Sequence, residues 1–134
     1  MELRLNYDAA DSALDKASGG SALSGVLHKR SRKGGSRWSS WEQRYTQLLA
    51  GYCMYFKAEA DPKPQNFFEL AAVAAVRPVK SGSGTDRDNT LEVELEGGKV
   101  YQFALASGAD ALAWFGVLGA IVLRNNAAKG RAAS

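Results

Sequence analysis

The sequence predicts a mostly β fold of the α+β class: seven antiparallel strands forming a sandwich or open barrel, capped by one C-terminal helix. From about Ala22 to Leu105, short runs alternate apolar and polar residues and are separated by Gly, Pro and Ser clusters, as half-buried strands are. After Ser107 the apolar period changes from two to three or four, which marks a single amphipathic helix. At 134 residues the chain is one domain with short tails, long enough to bury a real core.

The elements follow in order. Residues 1–22 are rich in Ala, Ser, Gly and Asp and read as a flexible leader, with a helical turn around Ser12 to Ala17. The domain proper is placed at 23–124, and its first strand begins near Ala22. A basic loop follows, holding Arg30, Arg32, Lys33 and Arg37 among Gly34, Gly35 and Ser36. The second strand covers Glu42 to Leu49, and the Ala50-Gly51 turn makes Tyr52 to Lys57 its antiparallel partner. Two prolines in Asp61-Pro62-Lys63-Pro64 make a loop. Phe67 to Leu70 and Ala72 to Pro78 are expected as short strands, and Ser81 to Asp86 as a flexible loop. Leu91, Val93 and Leu95 alternate with Glu92, Glu94 and Glu96, so that strand has one wet face. Gly97-Gly98 turns it into Lys99 to Leu105. Ser107 and Asp110 have capping-box spacing, with Asp in place of Glu. Ala111, Trp114, Leu118 and Ile121 then fall on one helical stripe, and Arg124 closes the helix where the dipole favours a cation. Residues 125–134 read as a flexible tail.

Charge is the functional clue. Residues 29 to 44 hold six Lys or Arg against one Glu, or +5, whereas the whole chain carries +3. The positive charge is thus gathered at one hairpin, a device for meeting phosphates. The apolar run from Ala111 to Leu123 is broken by two glycines and is too short to span a bilayer. No signal peptide, myristoylation site or prenylation cysteine is evident, so membrane contact must come from the folded surface. The lone Cys53 sits among Tyr52, Met54 and Tyr55, as a packed thiol in a reducing cytosol does. No enzyme constellation appears. His28 is the one histidine, Gly34-Gly35 lacks the Gly-Lys-Ser/Thr of a phosphate loop, and Ser39 and Ser40 have no base nearby in sequence. Neither metal nor cofactor is expected. Nucleic acid is disfavoured because the charge forms no stripe and the sheet shows no series of stacking aromatics.

From Leu23 to Leu123 the sequence resembles a pleckstrin homology (PH) domain. Gly25-x-Leu27-x-Lys29 is similar to the family's first strand, and Trp41-x-x-Arg44-Tyr45 with Leu48 to its second. Tyr52 to Lys57, Phe68-x-Leu70 and the Leu91 to Phe103 hairpin resemble later strands. Trp114 followed by Leu118 and Ala120-Ile121 resembles the signature helix. The long first loop is also similar to spectrin-type members. The resemblance implies a non-catalytic module that binds phosphoinositide or other anionic lipid, is monomeric, and acts in signalling or at the cytoskeleton. It would be cytoplasmic and peripheral, at the inner face of a membrane. A protein-interaction module on the same scaffold is the alternative.

Strand parity places the candidate site. Lys29 shares parity with Leu27, Arg44 with Leu48, and Tyr55 with Cys53, so all three point inward near the open mouth. With Arg30, Arg32, Lys33, Arg37 and Lys57 they form the expected phosphoinositide site, matching the family's inositol-phosphate positions. Glu42 departs from the family pattern, because strong binders carry a base there. Its carboxylate repels phosphate and can pair with Arg44 or a loop arginine; surface ion pairs of Lys29 and Arg44 with Glu42 are the simpler alternative to a binding role. Thr46 and Gln65 are further departures. Trp38 is expected either to insert into the membrane or to fold back on the hairpin. A second, outer site would use Ser39, Ser40 and Trp41, with Lys80 and Arg87 opposite.

Overall fold

The computed structural model describes residues 21–49, 51–80 and 87–133. Residues 1–20 and the Ser81 to Asp86 loop therefore lie outside the described residues, whereas Ser21 and Ala22, expected at the end of the leader, begin the first strand. Seven strands form one antiparallel sheet in the order β4-β3-β2-β1-β7-β6-β5. They are β1 (Ser21–Lys33), β2 (Glu42–Leu49), β3 (Tyr52–Phe56), β4 (Asn66–Glu69), β5 (Val73–Val79), β6 (Thr90–Leu95) and β7 (Lys99–Ala104), followed by helix α1 (Gly108–Ala133).

β1 is the hinge of the sheet. Ser21 to Lys29 pair with β2, whereas His28 to Lys33 pair with β7, Arg30 opposite Gln102 and Arg32 opposite Val100. This second partner keeps the backbone extended through Lys33. Arg30, Arg32 and Lys33 are consequently strand residues, not the loop residues that the glycines after them suggested. At the other end of the fold, Gly97 and Gly98 both adopt positive φ, 96° and 97°, which only glycine takes without strain, and so close the tight β6–β7 turn.

Leu70 does not extend β4. It opens a short 3-10 turn, Leu70–Ala72, with its N–H on the Gly51 carbonyl and its side chain buried. β5 accordingly starts at Val73. The core gathers Leu27, Leu48, Cys53, Val93 and Phe103 from the sheet with Trp114, Val117, Leu118 and Ile121 from α1. Trp114 meets Phe103 edge-on, ring centres 6.4 Å apart. Burial pushes the Cys53 thiol pKa up, as a packed, unreactive thiol requires.

The Ser107 hydroxyl caps α1 by accepting from the Asp110 N–H at 3.1 Å. The helix does not fray at residue 125. It continues to Ala133 because the Asn125 amide donates to the Leu70 and Val73 carbonyls and Lys129 pairs with Glu96. The stretch Gly108–Gly130 is by length and composition apolar enough to cross a membrane, a reach hidden from a count of uninterrupted apolar residues. Its stripe instead closes the sheet: Trp114, Leu118 and Ile121 are buried, whereas Leu112 and Leu123 on the opposite face are exposed.

Candidate functional site

The basic end has two sides, set by the parity of β1 and β2. Lys29 points inward and is only 8% exposed. Its ammonium lies 4.4 Å from the Tyr55 ring centre and 5.7 Å from that of Tyr101, a cation held against two aromatic faces. Burial lowers its pKa, and the nearby Glu42 carboxylate partly restores it. Glu42 reaches Lys29 at 3.7 Å and Arg44 at 3.2 Å. The Arg44 Nε–H also donates to the Gln65 side chain, and its Nη1 to the Gln43 carbonyl at 2.7 Å. The Tyr55 and Tyr101 hydroxyls share a hydrogen bond of 3.1 Å, and burial pushes the Tyr55 pKa up. The three inward residues expected from parity do come together. A carboxylate of the same chain, Glu42, pairs with both cations.

The outer side is built differently. Ser39 donates its N–H to the Ser31 carbonyl at 2.8 Å and accepts the Ser31 N–H on its hydroxyl at 3.0 Å. Ser36 similarly accepts the Lys33 N–H, and the Gly34 N–H bonds the Gly98 carbonyl. These bonds fold residues 34–41 back along β1, leaving Gly34 and Gly35 at the tip with Arg37 exposed beside them. Ser39, expected at an outer binding site, is committed to holding the loop.

The folded-back loop lays two indoles between three guanidinium groups. The Arg32 guanidinium is 4.6 Å from the Trp38 ring centre, and Arg30 lies 5.0 Å from the same ring. Arg30 is also 4.4 Å from Trp41, and Arg87 is 5.5 Å from it. The result is an alternating ladder: Arg32, Trp38, Arg30, Trp41, Arg87. Each stacked pair contributes about 0.5–1 kcal/mol at a partly exposed site. Trp38 is thus half-buried against β1 in this structure, not extended from the tip.

A polar chain fixes the ladder to the sheet. Arg30 Nε donates to Gln102 at 2.8 Å, Gln102 donates to Glu92 at 3.1 Å, and Glu92 holds Arg77 at 2.8 Å. The Arg32 Nε–H is buried and has no protein acceptor among the described residues. An open groove of about 550 Å³ adjoins the ladder, lined in part by His28, Gln43, Arg87 and Asn89. Burial, and then the Arg87 charge, lower the His28 pKa.

Of the remaining expected residues, Lys57 lies just past β3 and Lys80 at the last described position before the β5–β6 loop; both are exposed. Ser40 is exposed and gives its carbonyl to the Ser39 hydroxyl. Sequence reasoning missed Tyr101 on the inner side and Gln102 on the outer. Both sit on β7, and only the β1–β7 pairing shows that they face the site. No group of three or more metal-ligating side chains occurs among the described residues.

Comparison with known proteins agrees with this fold. The PH domain model matches residues 22–122. Src kinase-associated phosphoprotein 1 of Xenopus tropicalis is 29% identical over 90 residues, covering 67% of this chain. The aligned region is 26% of that relative, so the chain spans about a quarter of its length. Among solved structures, the PH domain of ArhGAP27 superposes with a TM-score of 0.61 at 24% identity, over 75% of this chain and 97% of that one. The C-terminal PH domain of pleckstrin, solved with D-myo-Ins(1,2,3,5,6)P5, gives 0.62 at 21% identity, over 78% and 97%. The family is in general non-catalytic and serves membrane or protein interaction. With its sheet order, its capping helix and a family match over most of its length, this chain belongs to the PH domain family.

Proposed function

We propose that this PH domain is a membrane-targeting module that attaches to anionic phospholipid, phosphoinositides included, from the cytosolic side. The observation that carries the reading is the Arg32-Trp38-Arg30-Trp41-Arg87 ladder. Indoles cover the faces of the guanidinium groups, while the in-plane N–H edges are the part that meets phosphate. An inositol phosphate was solved on the pleckstrin PH domain, which shares this fold. Lys33 and Arg37 extend the cationic surface, and the indoles supply the amphipathic bodies favoured at a headgroup layer.

The inner cations contribute less, because Glu42 already occupies them. Replacing Glu42 by Lys is expected to raise binding to phosphoinositide liposomes more than to phosphatidylserine liposomes of equal charge. Sedimentation at matched charge checks it, and an equal rise for both lipids would leave the inner pocket no selective role.

Attachment through the outer wall is expected to be strongly salt-dependent. The Debye length falls from about 10 Å at 0.1 M to about 3 Å at 1 M salt, so bound fraction should drop steeply across that range. Liposome sedimentation over a salt series tests the reading. Failure to bind anionic liposomes even at low salt would favour the protein-interaction alternative, which the Glu42 ion pairs also favour.

A further inference from the structure

The serines of the basic hairpin are not equivalent. Ser31 bonds to Ser39 through both its N–H and its carbonyl. Ser36 and Ser39 spend their hydroxyls on accepting backbone N–H groups, those of Lys33 and Ser31. Ser40 takes part only through its carbonyl, which accepts the Ser39 hydroxyl at 3.3 Å. Its own hydroxyl has no partner among the described residues, its side chain is exposed, and residues 37–41 belong to no helix or strand. The returning loop also sets what lies beside it. Ser39 sits against Ser31, and one residue earlier Trp38 stacks on Arg32 at 4.6 Å. One residue later, Ser40 therefore comes alongside Arg30. The indoles on either side of Ser40 agree, since the Arg30 guanidinium lies 5.0 Å from Trp38 and 4.4 Å from Trp41. Gln102 takes the Arg30 Nε–H, which leaves the amino N–H groups of that guanidinium for an anion.

We infer that Ser40 is a phosphorylation site for an arginine-directed protein kinase, and that its phosphoryl group pairs with Arg30 across the ladder. Arg37 is exposed and stands three residues before Ser40, a guanidinium that the acidic substrate cleft of such a kinase can grip. Trp41 follows directly as a bulky apolar neighbour. Ser36 likewise follows Lys33 by three residues, but its hydroxyl is held inside the turn by the Lys33 N–H. In the transfer, the Ser40 Oγ bonds to the γ-phosphorus of Mg-ATP as the bond to the bridging oxygen breaks. ADP leaves, and the hydroxyl proton passes to the kinase's own base. The phosphoserine adds about −1.5 to −2 charges and three acceptor oxygens. Residues 29 to 44 then fall from +5 to about +3. The new phosphate also takes the amino edge of Arg30, the part that a lipid headgroup would meet. Phosphorylation thus releases the domain from an anionic surface, an electrostatic switch. The release rests on the membrane reading above, whereas the modification and its pairing with Arg30 do not.

The test treats the full chain with the catalytic subunit of cyclic-AMP-dependent protein kinase and Mg-ATP. Site-resolved mass spectrometry is expected to find Ser40 fully phosphorylated, with Ser36 and Ser39 unmodified. Phosphorus NMR then reads the pairing. A guanidinium beside the phosphate favours its dianion, so Arg30→Gln should move the phosphoserine titration to higher pH. Binding to anionic liposomes should weaken roughly 30-fold on phosphorylation, the effect of cancelling about two basic charges at the surface, and recover after phosphatase treatment. The same kinase treatment should leave the lipid binding of a Ser40→Ala chain where it stood before treatment. Four results would overturn the inference: no phosphate on Ser40, phosphate on Ser36 or Ser39 in its place, a titration that Arg30→Gln does not move, or unchanged lipid binding in a modified chain whose untreated form binds. If the untreated chain binds no anionic liposomes, the membrane reading falls, and the mass and phosphorus measurements still decide the site.

Discussion

Replacing Trp114 by alanine is expected to lower the stability of the domain by about 3–5 kcal/mol, the usual cost of emptying a large aromatic site in a close-packed core. Trp114 is buried and meets Phe103 edge-on, and it anchors the apolar stripe of α1 to the sheet. Val117, Leu118 and Ile121 share that contact, whereas Leu112 and Leu123 face outward. Against a typical total of about 5–15 kcal/mol, the loss leaves little margin. Urea unfolding followed by circular dichroism measures it. Leu112→Ala, on the same helix but exposed, should cost well under 1 kcal/mol, and a similar loss for both would mean that α1 is held by something other than its buried stripe.

The second large effect concerns binding. Arg30→Gln combined with Arg32→Gln is expected to weaken association with anionic liposomes by roughly 30-fold, since each basic residue near such a surface contributes about 1 kcal/mol. The ladder also has a structural share: Arg30 loses its bond to Gln102 and both arginines lose an indole. A fall of a few degrees in thermal midpoint should therefore accompany the binding loss. Lys129→Gln provides the contrast. It removes a charge paired with Glu96, outside the ladder and its polar chain, so it should have little effect on lipid. An equal loss of lipid binding per charge removed in the two variants would reduce the effect to net charge.

The framework was legible because each strand alternates and each turn carries its own residues. Glu42 to Leu49 and the Gly97-Gly98 hairpin stand where their patterns put them, and the strand expected over Tyr52 to Lys57 ends one residue earlier, at Phe56. Parity likewise placed Lys29, Arg44 and Tyr55 on one inner wall, and the possibility that Glu42 would pair with both cations is what the structure shows. The failures share a cause: long-range pairing leaves no local signature. β1 stays extended through Lys33 because β7 pairs with it, which no feature of residues 30–33 announces. The helix persists past Asn125 because that amide finds two carbonyls more than fifty residues earlier in the chain. The ladder is invisible for the same reason, since Trp38 reaches Arg30 and Arg32 only after Ser39 has folded the loop back.

The most direct test of the membrane-facing wall is paramagnetic broadening from a spin-labelled phospholipid in anionic nanodiscs, read across the amides and indole N–H groups of the full chain. The ladder account predicts the strongest broadening over Arg30 to Trp41 and at Arg87, with the Trp38 and Trp41 indoles among the most affected and the Tyr101 region and α1 spared. Broadening centred on Leu112 and Leu123 of α1, or on Lys29, Arg44 and Tyr55 with the two indoles untouched, would contradict it.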